Sequence, residues 1–102
     1  MAIFKLTKPI KIDGEERTEL EYDFDNLTGE DLQNATKDLA RNGMTVTVTE
    51  LDTNYHAAIF AKSADIAFED MKRLSAKDYS KCTSMVRDFF LADTAEPSQQ
   101  DI

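Results

Sequence analysis

Apolar and polar residues alternate along the start of the chain. Phe4, Leu6, Ile10 and Ile12 hold even positions, as do Leu20, Tyr22 and Phe24; the charged Lys5, Lys11, Arg17, Glu19, Glu21 and Asp23 hold odd ones. A period of two predicts two strands, each with a dry and a wet face. Asp13-Gly14 supplies the turn, since glycine reaches positive φ without steric cost. If both even sets face one core, directly opposed residue numbers sum to an even value. A two-residue loop would pair Ile12 with Glu15 and violate that rule. A three-residue loop would oppose Lys11 to Arg17, a like-charge pair that costs a fraction of a kcal/mol. The favoured reading is a five-residue loop over 13–17, which opposes Ile10 to Leu20 and Lys11 to Glu19. Pro9 cannot donate to a ladder, so the first strand is an edge there or carries a bulge, and a bulge would shift the register.

After the hairpin the spacing becomes helical. Thr28 is placed to cap, and Asp31 three residues on approximates a capping box. Leu32, Ala35 and Leu39 recur at helical intervals, and Arg41-Asn42-Gly43 reads as a stop, which predicts a helix over 29–41. The β-branched run Thr45-Val46-Thr47-Val48-Thr49 reads as a short strand; a third strand of the hairpin, an extended connector and absorption into the next helix all stay open. A second helix starts at Asp52 or Thr53, carries Tyr55, Ala58, Ile59 and Phe60, and ends near Ser63. Ile66, Phe68, Met71 and Leu74 suggest a short helix. Ser75 and Asp78 then form a cap signal for a last helix with Ala76, Tyr79, Cys82, Thr83, Val86, Phe89 and Phe90 on one stripe. Residues 92–102, with Pro97 and no aromatic side chain, are expected to lack structure. The predicted fold is α+β: an N-terminal antiparallel hairpin packed with three to four helices, one domain over 1–91 and a tail over 92–102.

Composition narrows the function. At 102 residues and 41% hydrophobic content, one packed domain is expected. Twelve Lys and Arg against twenty Asp and Glu give a net charge of −8, which argues against binding to nucleic-acid phosphates or an anionic membrane. An acidic surface also serves plain solubility. Cys82, the single cysteine, has no internal disulfide partner, and the N-terminus lacks the apolar stretch of a signal peptide. No apolar run approaches the roughly 20 residues that span a bilayer. These features fit a cytosolic protein.

Candidate chemistry is sparse. Gly14, Gly29 and Gly43 already have structural roles, so none is left for a phosphate-cradling loop. His56 is the only histidine, and Cys82 sits within an amphipathic helical stripe, where a thiol reads as a small buried hydrophobe. One Cys and one His cannot supply a zinc site. Asp23-Phe24-Asp25-Asn26 starts like a calcium loop, but Leu27, Thr28 and Asn34 stand where it needs a ligand, a glycine and a closing Glu. Glu15-Glu16 and Glu69-Asp70 are adjacent carboxylates that diverge on regular elements. No catalytic residue, cofactor or metal is expected.

The order of segments resembles a known family. Lys8-Pro9-Ile10-Lys11-Ile12-Asp13-Gly14, Leu27-Thr28-Gly29-Glu30-Asp31-Leu32 and the alanine-containing helix over 55–62 are followed by Phe68-Glu69-Asp70-Met71-Lys72-Arg73-Leu74. Then come Ser75-Ala76-Lys77-Asp78-Tyr79 and Val86-Arg87-Asp88-Phe89-Phe90-Leu91. Together these look like the small tail assembly chaperones of tailed bacteriophages, encoded just before the tape measure gene, across residues 4–91. The resemblance implies a non-enzymatic protein of the host bacterial cytoplasm. Such a protein binds the tape measure protein, helps recruit tail tube subunits, and is not retained in the mature virion. It also implies oligomer formation and, in many relatives, a longer frameshifted product. The strand-like run over 45–49 departs from the family's layout. A holdase of this kind would offer an apolar groove or strand edge, which makes Ile10, Ile12, Val86, Phe89 and Phe90 the candidate partner contacts, for a client or for a second copy. The competing reading gives Tyr79, Val86, Phe89 and Phe90 to the core. The alternative function is a small acidic structural or adaptor protein of the particle, or a decoy that mimics nucleic-acid charge.

Overall fold

The computed structural model describes residues 2–44 and 52–100, with side chains through residue 92. It is an α+β fold in which β1 (Ala2–Ile12) and β2 (Glu15–Tyr22) form an antiparallel hairpin and four helices follow. The run over 45–49, where a third strand was an option, lies outside the described residues.

The hairpin departs from its expected register. Its turn is Asp13-Gly14 alone, with φ of 54° and 84°, the positive pair that a type I′ turn requires. Ile12 therefore pairs with Glu15, Lys11 with Glu16 and Ile10 with Arg17, and the five-residue loop over 13–17 does not form. The parity rule fails because β1 is bulged. Beyond the irregularity Lys5 pairs with Glu19 and Phe4 with Leu20, so residues 6–9 of β1 occupy the interval that Thr18 alone occupies on β2. The bulge contains Pro9, whose missing N–H leaves the ladder nothing to lose there. It also lets Ile10, Ile12 and Leu20 all be buried despite the two-residue turn.

A single 3-10 turn (Phe24–Asn26) leads into α1 (Gly29–Arg41). The capping box is complete: Thr28 N–H donates to Asp31 Oδ2 at 2.9 Å, and Asp31 N–H donates to Thr28 Oγ1 at 3.3 Å. At the other end Gly43 has φ of 75°, and the N–H groups of Gly43 and Met44 reach the Ala40 and Leu39 carbonyls. This two-bond closure depends on a residue that tolerates the left-handed region. α2 (Thr53–Ala64) is capped by Asp52, and every residue from 55 to 61 is buried. A helix buried all round belongs at the centre of a domain, and α2 touches α1, α3 (Phe68–Met71), α4 (Ala76–Gln100) and β2. Ala57, Ala58 and Ala61 are fully covered, which lets those neighbours approach closely. The backbone of α4 runs on to Gln100, through the segment from residue 92 expected to lack structure.

Asp38 ties α1 to α2. It is buried, ion-paired with Arg41 one turn on and with Lys62 across the helix pair at 3.0 Å. Burial pushes its pKa up, but the bonds to Lys62 and Arg41 outweigh that and hold it below the ordinary carboxylate value.

Candidate functional site

The sequence-derived contact residues are split by the fold. Ile10, Ile12 and Val86 are 6%, 4% and 0% exposed and belong to the hydrophobic core. Phe89 and Phe90 are half-buried on α4. Phe89 packs against Phe24 with ring centroids 5.3 Å apart, and Phe90 stacks on Tyr55 at 6.4 Å. Ile10 and Ile12 lie at the turn end of the hairpin, whereas Phe89 lies by its open end, beside Ala2 and Tyr22. The five do not form one surface.

One carboxylate joins hairpin and helix. The Asp78 backbone N–H donates to Ser75 Oγ at 3.2 Å, as the cap signal implies. Its side chain, however, reaches the bulge 70 residues away: Oδ2 accepts from Thr7 N–H at 2.9 Å, Thr7 Oγ1 at 3.1 Å and Lys8 N–H at 3.4 Å. The bulge exposes donors that β2 cannot satisfy, and Asp78 satisfies them. The residue is 0% exposed, and its Oδ1 has no hydrogen-bond partner among the described residues. Burial pushes its pKa up, but the Thr7, Ser75 and Lys8 donors outweigh this and hold it below the ordinary value.

From this junction β1 and α4 run side by side in opposite directions, and a groove opens between them. A volume of about 520 Å³ is bounded by Ile3, Phe4, Lys5 and Tyr22 on the hairpin and by Lys81, Ser84, Met85 and Asp88 on α4. It adjoins a second of about 290 Å³ lined by Ala2, Tyr22, Phe24 and Phe89, with Asp23 and Asp25 at the rim. The lining is more apolar than polar in both. An aromatic cluster supports the floor: Phe60, fully buried, meets Tyr22 at 5.4 Å, Phe24 at 6.1 Å and Phe4 at 6.4 Å. Ile3 and Met85 were not singled out from sequence. Ile3 carried a readable signal, being apolar at an odd, wet-face position.

The remaining candidates do not converge on chemistry. Cys82 is fully buried, and desolvation together with the neighbouring Asp78 charge pushes its pKa up to about 12. A thiol so protonated is a poor nucleophile. A polar cavity of about 350 Å³ opens beside His56, Ser80, Thr83 and Arg87, and Cys82 does not line it. Asp23, the start of the calcium-like run, spends its carboxylate on Asp25 N–H at 3.1 Å and Asn26 Nδ2 at 2.8 Å, holding the 3-10 turn. Among the described residues no cluster of three metal-ligating side chains occurs, and no helix is long and apolar enough to cross a membrane.

Residues 3–91 match the family model described as phage tail assembly chaperone proteins, E, or 41 or 14. The match covers the hairpin and every helix up to the middle of α4, and the chain belongs to that family. No curated protein and no solved structure matches the chain.

Proposed function

We propose that, within tail assembly, this chain is the holding chaperone of the tape measure protein. It keeps that long helical protein soluble in the host cytoplasm, helps bring tail tube subunits to it, and leaves before the particle is complete. The observation that carries the reading is the family match over residues 3–91. The open groove beside Ile3 and Met85 is compatible with it, since a client is held by reversible burial of apolar surface. No covalent step is needed. Of the five residues singled out from sequence, Phe89 lines the smaller volume that adjoins this groove.

Co-expression with the tape measure protein of the same phage tests the proposal. The expected result is that the tape measure protein moves from the pellet to the soluble fraction and co-purifies with the chain. A tape measure protein that stays equally insoluble with and without the chain contradicts it. Mass spectrometry of purified particles should find the tube subunit and not this chain; its retention would favour the structural-component reading.

A further inference from the structure

We infer that the groove between β1 and α4 receives an amphipathic helix of the client, with acidic side chains beside Lys5 and Lys81 and basic ones beside Asp23, Asp25 and Asp88. The inference rests on the proposed holding function and gives it a surface.

Exposed apolar surface is concentrated here. Among the described residues the large hydrophobic side chains that stand exposed are Ile3 at 52% and Leu91 at 42%. Ile3 lines the groove. Leu91 follows Ser84 and Asp88 by seven and three residues, so it continues the same face of α4. The stretch of α4 from Ser80 to Phe89 that borders the two openings is about 14 Å long, enough for roughly two and a half turns of a docked helix.

A docked strand fits less well. Ile3 and Lys5 on one face of β1 and Phe4 on the other all line the groove, so it follows the strand's outer edge. The bulge interrupts that edge after Lys5, leaving residues 2–5 as its regular part. That is shorter than the usual five or six residues of a strand. A helix needs no ladder and uses the apolar floor of Phe4, Tyr22 and Met85 directly.

Charge sets the direction. On a chain of net charge −8, Lys5 and Lys81 line the groove, and two more of the eight lysines flank the Asp78 junction, Lys8 by its backbone bond to Asp78 and Lys77 as the residue before it. None of the four is in an ion pair among the described residues. The opposite end carries Asp23, Asp25 and Asp88, relieved by a 3.6 Å contact between Arg87 and Asp88. A groove positive at one end and negative at the other selects a helix of complementary polarity and disfavours its reversal.

Binding of the full chain to purified tape measure protein, with Ile3→Asp and the double variant Lys5→Glu/Lys81→Glu against wild type, tests the inference. These side chains are exposed, so far-UV circular dichroism should keep its wild-type shape; the urea midpoint should fall only slightly, because Ile3→Asp and Lys5→Glu set a carboxylate opposite Glu21 and Glu19. Each groove variant should weaken binding at least about tenfold, whereas Lys37→Glu on the exposed face of α1 should bind as wild type does. Groove variants that bind as well as Lys37→Glu overturn the location while leaving the holding function intact. A wild-type chain that binds no tape measure protein overturns the proposed function and this inference with it. Groove variants that dissociate a wild-type oligomer but keep the client assign the groove to a second copy, and also overturn it.

Discussion

Replacing Asp78 by alanine removes the carboxylate that holds the hairpin bulge to α4, leaving there the 3.3 Å contact between the Thr7 and Ser75 hydroxyls. Two of its bonds, from Thr7 N–H at 2.9 Å and Thr7 Oγ1 at 3.1 Å, are well formed, and the third, from Lys8 N–H at 3.4 Å, is long. A hydrogen bond to a charged group contributes roughly 1.5–3 kcal/mol, so the two good bonds amount to about 3–6 kcal/mol gross. Against this stand the buried carboxylate with an unpartnered Oδ1, and an exposed Thr7 whose donors regain water once released. The net loss expected for Asp78→Ala is therefore about 2–3 kcal/mol. Asp78→Asn keeps the shape and one acceptor oxygen and should lose about half as much. Urea unfolding followed by circular dichroism reads the difference: the alanine midpoint should fall by about 1–2 M with an unchanged slope. A fall corresponding to less than about 0.5 kcal/mol would refute the reasoning, because the bulge would then be held by something other than this carboxylate.

Three further outcomes follow from the same structure. Gly43→Ala places a Cβ at φ of 75° with open space around it, so only backbone strain opposes it; a loss of about 1 kcal/mol in urea unfolding is expected, and none would contradict the helix closure described for α1. Cys82, fully buried and with its pKa pushed up to about 12, should resist iodoacetamide at pH 8 until the chain is unfolded; modification at the rate of a free thiol would contradict its burial. Asp38 and Asp78 both have folded pKa values below the ordinary one, so their contribution is complete above the unfolded carboxylate range and is lost as pH falls through the folded values. The urea midpoint should hold between about pH 7 and 5 and fall below about pH 4, less steeply in Asp78→Asn; a midpoint that rises on acidification would contradict this.

Local signals were legible, and long-range ones were not. Thr28, Asp31 and Gly43 announced both ends of α1 because a capping box and a left-handed closure are written within a few residues. The start of α2 was placed at Asp52 or Thr53 from spacing alone, and it is Asp52 that caps it, accepting from Tyr55 N–H at 3.0 Å. The hairpin's place was plain from period two, and Pro9 pointed to the bulge, but the register was missed. Four residues of β1 stand against one of β2 there, and their release is stabilised by Asp78, 71 positions from Thr7. From sequence, Asp78 read as a helix cap; its second role needs the tertiary arrangement. The partner contacts met a related obstacle. Apolar periodicity marks a dry face without saying whether the same chain or another covers it, so Ile10, Ile12 and Val86, which are core, looked like Phe89, which borders an opening. Ile3 stood out of phase with its neighbours, and that phase error was the available clue to the groove.

Hydrogen–deuterium exchange of the full chain, alone and saturated with the tape measure protein, tests the central claim most directly. The account expects new protection at residues 2–5, 22–25 and 81–91, the walls of the groove, with the α1 amides unchanged. Protection confined to α1, or exchange identical with and without the client, would contradict it.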